Sequence, residues 1–69
     1  MEQNIIGTTI AALRREKGLT QDALAAQLGV SAQAVSKWEN GASDPSTANL
    51  IALAKLFGTT PEELLKESQ

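Results

Sequence analysis

The segment 31–41, SAQAVSKWENG, carries polar side chains whose types and spacing are suited to binding another molecule. If it is wound as a helix at about 100° per residue with Val35 inward, four polar side chains point outward: Gln33, Ser36, Lys37 and Asn40. Their amide, hydroxyl and amine groups are the kinds that hydrogen-bond base edges and phosphate oxygens. A solvated helix face is also usually polar, so the segment alone leaves both interpretations open.

The same winding predicts that Ser31 and Glu39 lie on the inward side and that Trp38 lies at its edge. Because an unpaired carboxylate inside a protein is costly, we expect Glu39 to have a cationic partner. Arg14, one helical turn after Ile10, is one cation that could fill this role. The alternative is that both are surface charges that contribute almost nothing to each other.

Two short helices joined by a tight turn are predicted to position this segment. Thr20 is a typical N-cap, the stretch 21–28 has a helical apolar pattern, and Gly29 is a typical helix end. Ser31 then caps the helix that contains the polar side chains. This is the helix-turn-helix arrangement, predicted at about residues 20–39. The small side chain of Ala25 would permit the two helices to cross closely.

Helical patterns also occupy the rest of the chain, so we expect an all-α fold, a compact bundle of about five short helices. The first helix is predicted to begin near residue 3 or 4 and to end by Gly18. Within it, Gly7 is unfavourable by roughly 1 kcal/mol relative to alanine, which predicts fraying. The stretch 47–57 has the broadest apolar set and is predicted to be the central helix. Thr60 opens a capping box for the last helix.

Composition excludes several classes of protein. The 69 residues allow one domain, taken as 1–69. The chain has neither Cys nor His, which removes disulfides, thiolate metal sites and the commonest general base. We therefore expect no metal, no cofactor and no catalysis. No apolar run has the length of a membrane span and no signal peptide opens the chain, so a cytoplasmic protein without a membrane partner is expected.

Charge gives a mixed indication. The net charge of −2 opposes nucleic-acid binding, because DNA-binding domains are usually basic. The distribution is uneven, however, since four cations lie in the first half of the chain: Arg14, Arg15, Lys17 and Lys37. These four could form one basic surface.

With these residues in view, the chain resembles the Cro/CI-type helix-turn-helix family of phage and bacterial repressors, also called the XRE family. The resemblance runs from about Ile6 to Leu65 and is strongest in GLTQ (18–21), LGVS (28–31) and VSKWENG (35–41). It implies the fold of lambda repressor-like DNA-binding domains. It also implies a transcription regulator, most simply a repressor, that binds double-stranded operator DNA.

The resemblance assigns roles to individual positions. It implies that Gln21 binds a DNA phosphate and braces the helix 31–39, and that Arg14 and Glu39 form a partly buried ion pair. Positions that reach into the major groove correspond to Ala32, Gln33, Ser36 and Lys37. The family position that contacts a phosphate just past this helix corresponds to Asn40. We also expect phosphate contacts from Ser31 and from the indole N–H of Trp38. For Trp38, packing is the alternative role.

The functional group of each side chain indicates which base or phosphate it can contact. Gln33 can form a bidentate pair with adenine, and Lys37 can reach guanine or a phosphate. Ala32 departs from the polar residues often found there, and its methyl group can contact only thymine, unless helix propensity alone explains it. If about three to five phosphates are contacted per monomer, the dependence of binding on salt should be shallow.

The resemblance and the small size of the domain also predict binding partners. Because one such module would bind weakly, a homodimer on a palindromic site is expected. Leu64 and Leu65 suggest that the last two helices form the dimer contact. Two alternatives keep the fold: an antitoxin that also binds a toxin, and a protein-interaction module with weak or no DNA binding. The acidic composition and Ala32 favour the latter.

Overall fold

The computed structural model describes residues 5–67, with side chains from residue 6 to residue 66. Five helices follow one another: α1 (Ile5–Glu16), α2 (Gln21–Leu28), α3 (Ala32–Asn40), α4 (Thr47–Phe57) and α5 (Pro61–Glu67). Between residues 5 and 67 there is no strand, so the predicted all-α bundle of five short helices is confirmed. The predicted start of the first helix at residue 3 or 4 lies outside the described residues.

Side-chain hydroxyl groups define where the inner helices begin. Thr20, Ser31 and Ser46 each accept a hydrogen bond from the main-chain N–H three residues later, at 3.0, 3.1 and 3.2 Å. Such caps satisfy main-chain donors that have no partner within the helix. Gly29 has a φ of 75°, a left-handed conformation that glycine adopts without strain. Only residues 29–31 separate α2 from α3, as predicted for a helix-turn-helix.

Every helix supplies at least one fully buried side chain to a single core. The largest are Ile10, Leu24, Val35, Leu53 and Leu64, in the order of the helices. Full burial of a side chain of this size contributes roughly 1.5–3 kcal/mol relative to exposure, so no helix is dispensable. Ala25 is also buried, in agreement with the predicted close crossing of α2 and α3.

The central helix is α3, and the prediction that α4 is central was wrong. α3 packs extensively against both α1 and α2, whereas α4 packs mainly against α5 and less against α2. The apolar set of α4 is broad because part of it faces outward, as the 44% exposure of Ile51 shows. Apolar content was therefore a poor guide to position in this bundle.

Gly7 is buried at the contact between α1 and α3, which corrects its interpretation as a weak point. A Cβ atom added at Gly7 would overlap the main-chain carbonyl oxygen of Trp38 and lie 3.1 Å from that of Glu39. The absence of a side chain therefore permits α1 to approach the last turn of α3 closely. The propensity penalty of glycine in a helix is offset by this packing.

Burial separates the two leucines of α5. Leu64 is 1% exposed and belongs to the core, whereas Leu65 is 46% exposed. The use of Leu64 as evidence for a dimer surface was therefore wrong, since its own domain already buries it. Among the described helices, none combines the length and the apolar character that a bilayer crossing requires.

Candidate nucleic-acid interface

The outward face of α3 presents polar side chains on a helix that is held firmly from the opposite side. Gln33, Lys37 and Asn40 are exposed, and Ser36 and Ala32 are half-buried. On the opposite side Val35 is fully buried and Trp38 is 4% exposed. The predicted outward orientation is thus confirmed for Gln33, Lys37 and Asn40, whereas Ser36 lies at the edge of the exposed face.

Two positions differ from the simple winding of this segment. Ser31 was expected to face inward but is exposed, because it precedes the helix in an extended conformation (φ −81°, ψ 154°) and the helical angle does not apply to it. Trp38 was expected at the edge but belongs to the core, because its large ring reaches the apolar side chains beside Val35. Packing is therefore the role that the structure gives Trp38, and the phosphate contact of its indole N–H stays a prediction.

Three polar side chains from three different helices meet beneath this face. We refer to Arg14, Gln21 and Glu39 as the Glu39 cluster. Arg14 Nε and Nη2 donate to the two carboxylate oxygens of Glu39 at 2.7 and 3.1 Å. Gln21 Nε2 donates to Glu39 Oε1 at 2.9 Å. The ion pair is the one expected from the sequence, and its bidentate geometry is the strong form of the interaction.

The electrostatics of the cluster are dominated by a competition at Glu39. Burial by itself raises the pKa of this carboxyl group, because the charged form loses solvation. The hydrogen bonds from Arg14 and Gln21 and the charges of Arg14 and Arg15 outweigh burial, so the pKa of Glu39 lies below its ordinary value. The hydrogen bond from Arg14 to Glu39 likewise raises the pKa of Arg14. Both groups are therefore held in their charged forms.

Arg14 also fixes the turn that precedes α2. Its Nη1 donates to the main-chain carbonyl oxygen of Leu19 at 2.8 Å. One guanidinium on α1 thus contacts both the turn before α2 and the last turn of α3. The predicted basic surface is correspondingly smaller: Arg14 is buried, and the exposed cations of the first half are Arg15, Lys17 and Lys37.

Asn40 is held in a defined orientation at the end of α3. Its Oδ1 accepts a hydrogen bond from the main-chain N–H of Ala42 at 3.0 Å. Because the oxygen of the amide faces the protein, the Nδ2 group points away from that contact and can donate to a ligand. The residue predicted to contact a phosphate just past α3 therefore has its donor group available.

Gln21 was expected to brace the helix 31–39, and its hydrogen bond to Glu39 does so. The acceptor itself was not predicted, although the sequence contained a signal for it. A carboxylate has two oxygens that each accept more than one hydrogen bond, so an inward-facing Glu39 needed more donors than Arg14 alone. Gln21 is the first residue of α2. Within residues 5–67 there is no group of three His, Cys, Asp or Glu side chains that could hold a metal ion.

The chain is similar in sequence to known proteins. A family model described as helix-turn-helix matches residues 10–64. The chain is 49% identical over 53 residues to the HTH-type transcriptional activator BcrR of Enterococcus faecalis, with 77% of this chain covered. It is 38% identical over 66 residues to repressor protein C2 of Salmonella phage P22, with 96% covered. The chain spans only 26% and 31% of the lengths of these two relatives.

A solved structure agrees with the fold in detail. The P22 c2 repressor protein, crystallised in complex with synthetic operator 9T, superimposes with a TM-score of 0.82 at 39% identity. The alignment covers 88% of this chain and 92% of that one. The similarity therefore includes nearly the whole bundle as well as the helix-turn-helix.

Proposed function

This chain belongs to the helix-turn-helix family, and from that premise we propose that it is a sequence-specific DNA-binding regulator of transcription, in its simplest form a repressor. The observation that carries the proposal is the polar face of α3. Gln33 and Lys37 are exposed on it, while the opposite side of the helix is fixed by the core and the Glu39 cluster. The similar P22 repressor was crystallised with an operator, which supports the same role for this face.

The side chains of α3 divide the readout between them. Gln33 pairs with the N6 and N7 atoms of an adenine in the major groove, and Lys37 donates to guanine acceptors or to a phosphate. Ser36 hydrogen-bonds whichever base edge lies beside it, and the methyl group of Ala32 contacts thymine. Each half-site is thus read by two or three side chains, which is typical of the arrangement.

Phosphate contacts position the protein on the duplex. Gln21 and Asn40, at the first residue of α2 and the last of α3, donate amide N–H groups to backbone phosphates. The exposed hydroxyl of Ser31 accepts from the N–H of Ala34 and keeps its own O–H to donate a third contact. Because amides are neutral, they release no counterions by charge neutralisation. With Arg14 buried, the salt dependence of binding should be shallow for a DNA-binding protein.

A single module of this size binds DNA weakly, so we propose a homodimer on a palindromic operator. Leu65 and Ile51, on α5 and α4, are large apolar side chains at least 44% exposed, and a second copy would bury them. The functional unit is then one domain, residues 1–69, in the cytoplasm, with no catalytic role for this chain. A toxin partner would make it an antitoxin on the same fold.

Selection of binding sites from a random DNA pool tests the proposal. The wild-type chain should enrich a two-fold symmetric sequence with half-sites about one DNA turn apart. In gel shifts with the enriched duplex, replacing both Gln33 and Lys37 with alanine should abolish specific binding, whereas Lys55→Ala, on α4, should not. No enrichment at low or moderate salt would reject the proposal in favour of the protein-interaction module.

A further inference from the structure

Within the proposed DNA-binding function, we infer that Glu39 is a positioning residue: its carboxylate orients the amide of Gln21 so that one N–H remains inside the protein and the second meets a backbone phosphate. The inference rests on the proposed function, since it assigns to a residue that does not touch DNA the placement of one that does. It also gives a role to an acidic residue that lies in contact with Gln21, which we propose binds a phosphate.

The orientation of the Gln21 amide follows from chemistry. An ionised carboxylate accepts hydrogen bonds and donates none, so the atom of Gln21 that faces Glu39 Oε1 at 2.9 Å must be Nε2. The Nε2 group has two N–H bonds that diverge in the plane of the amide. With one directed at Glu39, the other is available to an acceptor outside the cluster.

The position of the carboxylate is itself determined by α1. Arg14 donates to both oxygens of Glu39, and one further N–H of the same guanidinium is bonded to the carbonyl oxygen of Leu19. A carboxylate held at both oxygens cannot rotate to release Gln21. The order of dependence is therefore Arg14, then Glu39, then Gln21, then phosphate.

The charge of Glu39 and its proposed orienting role predict opposite effects of Glu39→Gln on DNA affinity. Glu39→Gln removes a negative charge close to DNA, so electrostatics alone would strengthen binding. It also replaces an obligate acceptor with an amide that can present either nitrogen or oxygen to Gln21. If Glu39 acts by orienting Gln21, Glu39→Gln weakens binding despite the more favourable charge.

A double-mutant cycle measures this dependence. Affinities for a fluorescein-labelled duplex, selected from a random pool with the wild-type chain, are compared for wild type, Glu39→Gln, Gln21→Ala and the double variant, under conditions where circular dichroism shows each to be folded. We expect losses of about five- to tenfold for each single variant and little further loss in the double variant. Gln27→Ala removes an exposed amide elsewhere on α2 and should bind like wild type.

Two further measurements keep the test decisive if Glu39→Gln fails to fold. Glu39→Asp keeps the charge but withdraws the acceptor, so it should lose affinity by a similar factor. In the free wild-type protein, nuclear magnetic resonance should show one Gln21 Nε2 proton shifted downfield and protected from exchange with solvent, compared with the protons of exposed Gln27. A Gln21 amide whose two protons both exchange as fast as those of Gln27 would overturn the inference.

The outcomes distinguish the inference from the function on which it rests. If the wild-type chain binds no DNA, the proposed function fails and the inference fails with it. If wild type binds but Glu39→Gln binds equally or more tightly, only the inference is overturned. The same holds if the loss caused by Glu39→Gln is undiminished in the Gln21→Ala background.

Discussion

The two sides of this bundle are held together by different kinds of interaction. On the side of α1, α2 and α3, the contacts are directional: Gly7 permits one specific helix approach, and the Glu39 cluster joins three helices through hydrogen bonds. On the side of α4 and α5, the described contacts are mainly apolar, and Ile51 and Leu65 remain exposed. The polar face that we assign to DNA lies on the directional side.

This difference is explained by what each side must do. Burial of apolar area is strong but non-directional, so it holds α4 and α5 in place without fixing the orientation of a particular side chain. Reading a base edge requires side chains held to a fraction of an ångström. Hydrogen bonds and a close backbone approach supply that orientation for α3.

Gly7→Ala should be the most damaging small substitution on the directional side. Its Cβ would overlap the carbonyl oxygen of Trp38, so α1 must move away from α3, and we expect the free energy of unfolding to fall by about 3 kcal/mol or more. Chemical denaturation measures the change. Thr8→Ala, at the neighbouring exposed position, should change stability by less than about 0.5 kcal/mol. Equal effects of the two substitutions would contradict the close approach.

Arg14→Ala should cost about 3 kcal/mol near neutral pH, because it leaves the carboxylate of Glu39, whose side chain is 7% exposed, without its charged partner. Arg15→Ala, an exposed neighbour, should cost less than about 0.5 kcal/mol. A chemical melt in which Arg14→Ala loses under about 0.5 kcal/mol would show that the pair contributes nothing.

The cost of Arg14→Ala should also depend on pH. In the wild-type chain the folded pKa of Glu39 is lowered, so ionised Glu39 stabilises the fold above its unfolded pKa, and this contribution is lost as pH falls through the folded pKa. Without Arg14, burial raises the pKa of Glu39. In the variant, protonation at lower pH therefore removes the cost of a buried, unpaired charge. The stability difference should therefore shrink between about pH 7 and about pH 3. A difference independent of pH would contradict the ionic account.

Leu64 and Leu65, on the apolar side of the bundle, should respond differently to replacement by alanine. Leu64→Ala empties a core position and should cost about 2 to 3 kcal/mol. Leu65→Ala should leave domain stability within about 0.5 kcal/mol but weaken binding to a palindromic duplex relative to a half-site duplex. Denaturation and sedimentation with and without DNA separate the effects. Monomers at all concentrations, with and without DNA, would remove the dimer contact.

Asn40→Asp should affect binding with little effect on the fold. An aspartate oxygen can still accept the N–H of Ala42, but the Nδ2 donor is replaced by an acceptor that repels phosphate. We expect about a tenfold loss of affinity and a change in stability below about 0.5 kcal/mol. Asn49→Asp, on α4, makes the same change in net charge and should bind like wild type. Equal losses would indicate a general charge effect.

Local rules were sufficient to predict the five helices and the helix-turn-helix. Capping hydroxyls and left-handed glycines act within a few residues, so Thr20 and Gly29 could be interpreted from their neighbours alone. A cationic partner for Glu39 was also predictable, because an inward carboxylate requires a cation, and the resemblance identified this cation as Arg14. Each of these inferences depends on the type of one residue and on its local surroundings.

What could not be predicted depends on the contact between helices far apart in sequence. Gly7 was interpreted as a weak helix position because nothing in its neighbourhood reveals that α3 crosses there. Leu64 and Leu65 are identical in type, and only the rotation of α5 against the core decides that Leu64 is buried. That Gln21 braces α3 through Glu39, and not through another residue, likewise depended on the packing of α2 against α3.

The most direct test of the central claim is the base-pair preference of Gln33→Ala. Affinities of wild type and variant are measured for the selected duplex and for duplexes altered at each base pair in turn. We predict that the variant loses discrimination at one base pair per half-site, worth about 1–3 kcal/mol, and keeps the wild-type profile elsewhere. An unchanged profile, or a wild-type chain with no base-pair preference, would contradict the claim that the outward face of α3 reads DNA.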